Sequence, residues 1–497
     1  MASYDERSQE FESAFKQLSL MRRIGLPSLG LRTSERRLLL RGIDVILLNV
    51  ALIITLITST TLLPSLGEIF GPVKWFITLT IVWFVVAGIF DVYNLARSAS
   101  TTYSIRTIAT AALISSGLYL AIPWFTPPIE NRSQAFLFVF LAVGTLVIWR
   151  TLYAQLIVQP TFQRRAIIVG EGHNGQALIS ALQSEFARSD ANPFRGTGYV
   201  LVGFIEDTFD ATNDKVAGLP VLGNCQEMIR VVRRLEIDEV ILAVSETNQM
   251  NPALLEAVLD CREYGVPVTK MTTVYELLTS RVPVEHARGD IEMAAGIDDN
   301  PFQRLYGALK RSTDLLGALV TIPILLLCMP IIAVANAIFA PGPLFFKQTR
   351  VGRSGRPFSI IKFRSMVTDA EKRGAMWAQA HDVRVTKIGR LLRWSHIDEL
   401  PQIINVLRGE MSLVGPRPER PEFVEQLAPS IPFYRARHCT KPGITGWAQI
   451  HQDYGDTIEG AQEKLEYDLY YVKHASPILD MLIMLRTITK VVGLRGR

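Results

Sequence analysis

The sequence contains few cysteines and few charged residues for its length. Only four cysteines occur in 497 residues, and no two of them form a Cys-x-x-Cys pair. This spacing favours neither a disulfide framework nor a zinc site, so we expect the soluble parts to face a reducing compartment. Charged residues make up 20% of the chain, below the about 25% of ordinary soluble proteins, and hydrophobic residues make up 48%. Part of the chain is therefore predicted to lie in a lipid bilayer.

The net charge is also small. Lys and Arg number 52 against 47 Asp and Glu, which leaves +5. A balance this mild does not indicate nucleic-acid binding, although it is compatible with an anionic membrane surface. The length predicts about three domains.

The first part of the chain is typical of a multi-pass membrane protein. Residues 1–36 are polar with no apolar core, so we expect a cytoplasmic arm and no cleavable signal peptide. Four uncharged stretches follow within residues 37–158, each near the about 20 residues that a spanning helix needs. They cover residues 45–63, 75–90, 107–125 and 134–149. Buried helices of a soluble core are the alternative, but four closely spaced runs favour four transmembrane helices.

Basic residues are concentrated on one side of these stretches. Six arginines lie between residues 22 and 41, two in the loop after the second stretch and three after the fourth. The outer loops hold only Lys74 and Arg132. The positive-inside rule therefore predicts that both ends of the bundle are cytoplasmic.

The hydrophobic period changes at Arg164. Short runs of β-forming residues alternate with helical patterns, as a parallel α/β sheet requires. The runs cover residues 166–169, 199–205, 240–244 and 266–268, and the helical patterns cover residues 226–235 and 252–264. We predict a Rossmann-like domain over residues 164–290, followed by a linker over residues 291–307.

The first strand of this domain is followed by a glycine motif. Gly170-x-Gly172-x-x-Gly175 between a strand and a helix is a dinucleotide-binding fingerprint. The first acidic candidate for the ribose, Glu206 or Asp207, comes about 30 residues later instead of the usual about 20. A structural or regulatory domain is therefore favoured over a nucleotide-binding one.

Residues 315–340 form a further uncharged segment, which is interrupted by Pro323 and Pro330. The segment is long enough to cross a bilayer. Basic residues flank it on both sides, so the positive-inside rule places both of its ends in the cytoplasm. Because proline kinks a helix, we predict a re-entrant helix that bends near Pro330 rather than a full span.

Positive charge is concentrated after this segment. Residues 342–441 hold 18 Lys and Arg against nine Asp and Glu. A solvated or headgroup-facing surface accounts for about half of these charges. The guanidinium of Arg can donate two hydrogen bonds to phosphate oxygens, and Lys acts as a point charge. Some of the other basic residues are therefore candidate diphosphate ligands. These candidates are Lys362, Arg364, Arg390, Arg393 and Arg417.

Two adjacent acids, Asp398 and Glu399, stand at a predicted helix start. Apolar residues recur with helical spacing from Leu400 to Leu407, Ser395 and Asp398 have capping-box spacing, and Gly409 suits the stop. Helix capping is one role for the pair. The alternative is that one carboxylate attacks a phosphorus while the other holds a divalent cation.

Several sequence blocks follow one another in the last third of the chain. They are Pro341-Gly-Pro-Leu-Phe-Phe, Arg350-Val-Gly, Lys362-Phe-Arg-Ser-Met, Asp398-Glu-Leu-Pro-Gln, Met411-Ser-Leu-Val-Gly-Pro-Arg-Pro and Lys441-Pro-Gly-Ile-Thr-Gly-Trp-Ala-Gln. In these blocks residues 308–492 resemble the catalytic domain of the bacterial sugar transferases, the polyprenyl-phosphate hexose-1-phosphate transferases. The four stretches and the Rossmann-like domain resemble the long polytopic form of that family.

The resemblance implies a multi-pass protein of the bacterial inner membrane, whose mainly α catalytic domain, residues 308–497, lies on the cytoplasmic face. By this resemblance Asp398 is the nucleophile and Glu399 helps to bind Mg2+ or Mn2+. The implied reaction transfers a hexose 1-phosphate, glucose or galactose, from a UDP-sugar to undecaprenyl phosphate. It releases UMP and initiates exopolysaccharide, capsule or O-antigen synthesis, and a homodimer is a further expectation. One departure is Met329, where a serine often precedes the kink proline.

Two other functions stay open at this point. A membrane-anchored NAD-dependent nucleotide-sugar dehydratase also resembles four spans joined to Rossmann units, and Tyr306-x-x-x-Lys310 supplies a Tyr/Lys spacing. No second Gly-rich turn precedes that spacing, which counts against this function. A non-catalytic assembly scaffold is the third class, and the polar motifs around Asp398 count against it.

Cysteine labelling tests the predicted topology. In a variant whose four native cysteines are replaced by serine, Lys347→Cys should react only with reagent on the cytoplasmic side, because both ends of the re-entrant segment lie there. Lys74→Cys, in an outer loop, serves as the control that reacts from outside. Labelling of position 347 only from outside would contradict the re-entrant topology.

Overall fold

The computed structural model of the protein describes residues 33–492 apart from several internal segments. The segments left out are 60–72, 99, 128–130, 158–162, 171–174, 176–177, 180–197, 207–214, 217–218, 245–250, 285–301, 369, 371–381 and 453–456. The chain divides into two compact units, Met1–Thr279 and Ser280–Arg497.

The first unit begins with a bundle of apolar helices. They are α1 (Thr33–Ser59), α2 (Val73–Ile89), the short α3 (Leu95–Ser98), α4 (Thr101–Leu120) and α5 (Arg132–Leu152). Buried residues such as Leu48, Trp83 and Ala142 form one core between them. Large apolar side chains such as Ile81 and Phe140 are exposed on the outside, which suits contact with lipid.

Each predicted stretch contains a helix within the described residues, but the helices differ in length and in their ability to span a membrane. Within the described residues of this unit, Thr33–Thr58 and Arg132–Gln155 are long and apolar enough to cross a bilayer, and Val73–Ile89 is a shorter apolar helix. Four transmembrane helices therefore stay a prediction.

A buried ion pair ties the first helix of this bundle to the last. Arg150 Nη2 lies 2.7 Å from Asp44 Oδ2, and both side chains are almost fully buried. The guanidinium groups of Arg41 and Arg150 both lie over the ring of Tyr93. Because an unpaired charge in this setting is costly, the pair specifies how α1 and α5 face each other.

A six-stranded sheet follows in the same unit. Its strands are β1 (Arg164–Gly170), β2 (Tyr199–Glu206), β3 (Lys215–Val216), β4 (Leu219–Asn224), β5 (Glu239–Ala243) and β6 (Val268–Lys270), in the order β3-β4-β2-β1-β5-β6. All neighbours are parallel except β3 and β4. The predicted α/β fold is confirmed, whereas β3 and β4 were not predicted because their sequence shows little alternation.

Helices cover both faces of this sheet. They include α6 (Met228–Arg234), α7 (Pro252–Glu263) and α8 (Met271–Thr279). Ile167 and Val169 of β1 belong to one hydrophobic core, and Ala166 and Ile168 belong to the core on the opposite face. A central strand buried on both faces reads as a continuous apolar run, which is why β1 could be predicted.

Tight packing explains two of the three fingerprint glycines. Gly170 has a φ of +121°, and a Cβ placed on it would lie 2.8 Å from the carbonyl oxygen of Ala243. A Cβ on Gly175 would lie 2.2 Å from the ring of Phe204. Gly172 lies outside the described residues. Glycine is required here by the backbone and the packing alone, so nucleotide binding by this motif stays a prediction.

The second unit begins with the long apolar helix α9 (Phe302–Phe339), which runs unbroken through Pro323 and Pro330. Its segment Leu305–Phe339 is long and apolar enough to cross a membrane, and the bend near Pro330 stays a prediction. The helix starts earlier than the predicted residue 315, because polar partners accommodate its charged first turns. Asp314, for example, accepts hydrogen bonds from Ser412 Oγ and Leu413 N at 2.8 and 2.9 Å.

Short strands and helices pack on this helix, as predicted for a mainly α domain. The strands are an antiparallel pair, β7 (Phe345–Val351) and β8 (Pro357–Phe363), and a parallel pair, β9 (Ser412–Val414) and β10 (Gly443–Thr445). The helices are α10 (Lys387–Trp394), α11 (Ile403–Arg408), α12 (Pro421–Leu427), α13 (Trp447–His451), α14 (Ile458–His474) and α15 (Pro477–Val492).

The packing role of Gly175 can be tested by substitution. Gly175→Ala should lower the free energy of unfolding by about 1–3 kcal/mol, because the added methyl group overlaps the ring of Phe204. Thermal unfolding of the protein in nanodiscs measures the change. Gly144→Ala is the control, since a Cβ there would have no atom within 4 Å. Equal stability of the two variants would show that this packing argument is wrong.

Candidate active site

Asp398 and Glu399 lie in a 3-10 turn, Ile397–Gln402, that leads directly into α11. The predicted capping box is wrong, because Ser395 is the C-cap of the preceding helix α10: its Oγ donates to the carbonyl oxygen of Leu391 at 2.8 Å. His396 takes the left-handed conformation instead, and no side chain caps the turn. Gly409, also left-handed, ends α11 as predicted. Neither acid is therefore used for capping.

Glu399 is held by two cations. Its Oε1 accepts hydrogen bonds from Lys362 Nζ and from Arg417 Nη2, both at 2.8 Å. Burial by itself would raise the pKa of Glu399, but the charges of Arg417 and Lys362 hold it far below its ordinary value. Glu399 thus has a lowered pKa and joins strand β8 to the loop after β9.

Asp398 has a different environment. It is 8% exposed, and among the described residues none donates a hydrogen bond to its carboxylate. Burial, followed by the negative charge of Glu399, raises its pKa above the ordinary value, and Lys362, Arg393 and Arg417 oppose that rise. A buried carboxylate without hydrogen bonds is a stronger nucleophile than a solvated one, because no donor stabilises its lone pairs.

Three of the five predicted phosphate ligands surround this dyad. Lys362 and Arg417 contact Glu399 directly. Arg393 contributes positive charge at Asp398, and its Nε donates to Ser365 Oγ at 2.9 Å. Arg390, on the same helix as Arg393, is exposed.

Arg364, another predicted phosphate ligand, has a structural role. Its guanidinium is buried and donates to the carbonyl oxygens of Pro343 and Ala340 and to Asn336 Oδ1. These acceptors lie at the end of α9 and just beyond it. Arg364 therefore satisfies the carbonyl groups at a helix C-terminus and holds α9 against β8, and phosphate binding by Arg364 stays a prediction.

Arg417 is carried by a loop whose backbone is anchored at every residue from 416 to 419. The carbonyl oxygens of these four residues accept hydrogen bonds from elsewhere in the unit. The donors are, in order, Gly443 N, Arg437 Nη2, Arg350 Nη1 and Val351 N, at 2.9, 3.1, 3.1 and 2.9 Å. Pro416 and Pro418 have no N–H to form a regular ladder, so the loop depends on these external donors.

The residues that anchor this loop were missed by sequence reasoning. Arg437 and Arg350 occur in a segment already rich in Arg, so no local pattern separates them from surface charges. Gly415 also has a packing role, because a Cβ on it would lie 2.3 Å from the carbonyl oxygen of Lys441. The glycine permits β9 and β10 to approach closely and brings the two motif blocks together.

The Tyr/Lys spacing considered for a dehydratase has a structural role. Lys310 Nζ donates to Asp480 Oδ2 and to the hydroxyl of Tyr471, both at 2.8 Å. The hydroxyl of Tyr306 donates to the same Asp480 oxygen at 2.9 Å. Both residues are thus engaged in a network that joins α9 to α14 and α15, which leaves no support for a dehydratase site.

Comparison with known proteins places this geometry in a family. Residues 305–494 match the family model of the bacterial sugar transferases, and residues 88–260 match a CoA-binding domain model. The chain is 31% identical to the UDP-glucose:undecaprenyl-phosphate glucose-1-phosphate transferase of Klebsiella pneumoniae, over 82% of this chain and 86% of that one. It is 33% identical to the Escherichia coli K12 protein of the same name, over 69% and 75%.

The chain belongs to the bacterial sugar transferase family. It is accordingly an enzyme, a phosphoglycosyl transferase, and it carries the apolar helices of a membrane protein. A third relative is the UDP-N-acetylgalactosamine-undecaprenyl-phosphate N-acetylgalactosaminephosphotransferase of Aeromonas hydrophila, 42% identical over 46% of this chain. The alignment spans about half of that relative, 53% of its length.

A magnesium ion fits this sugar transferase only as an ion shared with the substrate. Within the described residues, no group of three or more His, Cys, Asp and Glu could hold a metal. Mg2+ is often bound by one or two carboxylates together with substrate phosphates. Glu399, the predicted metal ligand, supplies one such carboxylate, although its Oε1 already faces two cations. Once bound, the ion would neutralise charge on the diphosphate.

The structural role of Arg364 leads to a stability prediction. Arg364→Lys should lower the free energy of unfolding by about 1–3 kcal/mol, because an ammonium group cannot reach the three acceptors together. Thermal unfolding in nanodiscs measures the loss. Arg390→Lys, the same change at an exposed position, should leave stability unchanged. A stable Arg364→Lys enzyme with a raised KM for its donor would support the phosphate-binding role.

Proposed function

We propose that this enzyme transfers a sugar 1-phosphate from a UDP-sugar to undecaprenyl phosphate and releases UMP. The observation that carries the proposal is the asymmetry of the dyad, in which Glu399 is clamped by two cations and Asp398 has no donor within the described structure. The names of the Klebsiella and Escherichia relatives support both substrates.

Asp398 acts as the nucleophile in this proposal. One carboxylate oxygen attacks the phosphorus that carries the sugar, and the bond from that phosphorus to the oxygen of the UMP phosphate breaks. The electron pair of that bond leaves with UMP, and an acyl phosphate of the sugar remains on Asp398. A phosphate oxygen of the lipid then attacks the same phosphorus, which forms the diphosphate and restores the carboxylate.

The surrounding cations overcome the repulsion between the carboxylate and the anionic donor. Lys362, Arg393 and Arg417 are close enough to lower the pKa of Asp398, so their field also acts on a phosphate at this carboxylate. Because these groups are already in place before the donor binds, little reorganisation is needed during the reaction. Glu399 keeps Lys362 and Arg417 oriented and, with the donor, would hold Mg2+.

The apolar helix α9 explains how a lipid acceptor reaches the dyad. Ile403 and Val406, which follow the dyad, share a core with Ala318, Leu325 and Ile332 of α9. The opposite face of α9 carries exposed apolar side chains, including Leu319, Leu327 and Ile331. With this helix in the bilayer at the cytoplasmic face of the inner membrane, the dyad lies at the level of the headgroups.

The candidate donor sugars come from the names of the relatives and from the family resemblance. UDP-glucose is the first candidate, because the two relatives aligned over most of their length use glucose by name. UDP-N-acetylgalactosamine is the second candidate, by the name of the Aeromonas relative. UDP-galactose is the third, by the family resemblance. UMP release measured with each donor and undecaprenyl phosphate in nanodiscs decides between them.

The covalent route is tested at Asp398. Asp398→Asn keeps the shape and removes the attacking charge, so turnover should be abolished. Wild-type enzyme mixed with the donor and no lipid should release UMP and gain the mass of one sugar phosphate on the peptide that contains Asp398. Glu399→Gln should bind the donor weakly and respond less to added Mg2+.

Glu422→Gln is the control, because Glu422 is exposed and pairs only with Arg420 in the described structure. It should turn over like the wild type. Full activity of Asp398→Asn, or UMP release that strictly requires lipid and leaves no adduct, would count against the covalent route and favour direct transfer.

A further inference from the structure

Arg417 depends on its loop for the direction of its side chain. The loop has prolines on both sides of Arg417, and each of its carbonyl groups is bound by another element. The guanidinium that leaves this loop reaches Glu399 Oε1 at 2.8 Å. A displacement of the loop backbone would therefore move the cation relative to the dyad.

Arg437 is the residue that anchors the backbone of Arg417 itself. It lies in the 3-10 turn Tyr434–Cys439 and is 3% exposed. Its Nη2 donates both to the carbonyl oxygen of Arg417, at 3.1 Å, and to Asp468 Oδ2, at 2.6 Å. Its Nη1 donates to the hydroxyl of Tyr434 at 2.9 Å. One guanidinium thus joins the Arg417 backbone to helix α14.

Helix α14 holds the loop at two points that are one turn apart. Lys464 and Asp468 occupy positions i and i+4, so they lie on the same face of the helix. Asp468 holds Arg437, and Lys464 Nζ donates to Glu419 Oε1 at the end of the loop. A regular helix of 17 residues is a rigid support, which suits it to fix the loop in space.

General stability does not explain this arrangement. Arg437 and Asp468 are both almost completely buried, and two apolar side chains of similar size often stabilise a core as well as such an ion pair does. A buried ion pair instead specifies one geometry, because each charge must meet its partner. Here the specified geometry is that of the backbone carrying Arg417.

We propose that Arg437, held by Asp468, is a positioning residue that fixes Arg417 for the transfer of the sugar phosphate. Arg437 has no contact with Asp398 or Glu399 among the described contacts and acts only through Arg417. The inference rests on the proposed function, since it assumes that Arg417 meets a phosphate group during the reaction.

A double-mutant cycle tests this inference. Arg437→Lys keeps the charge but cannot bind both oxygens in the same geometry, so kcat for UMP release should fall by about 100-fold with little change in KM. Arg417→Gln should also lower kcat. If Arg437 acts through Arg417, the double variant should be no slower than Arg417→Gln, because the residue being positioned is already gone.

Arg281→Lys is the matched control. Arg281 pairs with Glu463 on the same helix α14, at 3.0 Å, and should tolerate the same substitution without loss of kcat. Asp468→Asn should reproduce the effect of Arg437→Lys. If either of these variants fails to fold, as judged by thermal unfolding, Tyr434→Phe removes a single hydroxyl acceptor and should give a smaller effect of the same kind.

The outcomes separate this inference from the proposed function. Full additivity of Arg437→Lys and Arg417→Gln, or an unchanged kcat in Arg437→Lys and Asp468→Asn, would overturn the positioning role while leaving the proposed function intact. A wild-type enzyme that releases no UMP from any UDP-sugar would overturn both.

Discussion

The contact on which the active site depends is the double hydrogen bond to Glu399 Oε1. Lys362 comes from strand β8 and Arg417 from the loop after β9, and both donors reach one oxygen at 2.8 Å. Two cations this close repel each other unless an anion lies between them. The glutamate supplies that anion. Its neighbour Asp398 lies near the same cations, but neither of them donates a hydrogen bond to it in the described structure.

The dyad therefore places two chemically similar side chains in different electrostatic environments. Glu399 has a lowered pKa because Arg417 and Lys362 outweigh its burial, whereas Asp398 has a raised pKa because burial and the charge of Glu399 outweigh the cations. Adjacent acids differ in this way when only one of them receives charged hydrogen bonds. Glu399 is therefore fixed between two cations, and Asp398 is the carboxylate that the proposed reaction uses as its nucleophile.

Buried polar networks connect this site to the apolar helix α9. Asp314 binds the start of β9, Lys310 and Tyr306 bind Asp480, and Arg364 binds the end of the helix. The apolar face of α9 is suited to lipid, and these polar contacts determine how the rest of the unit sits on it. The proposed reaction requires a lipid substrate and a water-soluble one to meet at the dyad, and the apolar face and polar contacts of α9 suit that requirement.

The local sequence determined the helices and strands and supplied the charged side chains. The tertiary structure decided which residues those side chains contact. Strand β1, the long apolar helix and the turn at Gly409 could be predicted, because hydrophobic period and glycine conformation are properties of neighbouring residues. The dyad and Lys362, Arg393 and Arg417 were also identified from sequence. Among equally charged residues, however, sequence could not tell that Arg364 binds helix carbonyls or that Arg437 binds the backbone of Arg417. A guanidinium binds whichever acceptor the fold brings near it, and those acceptors are distant along the chain.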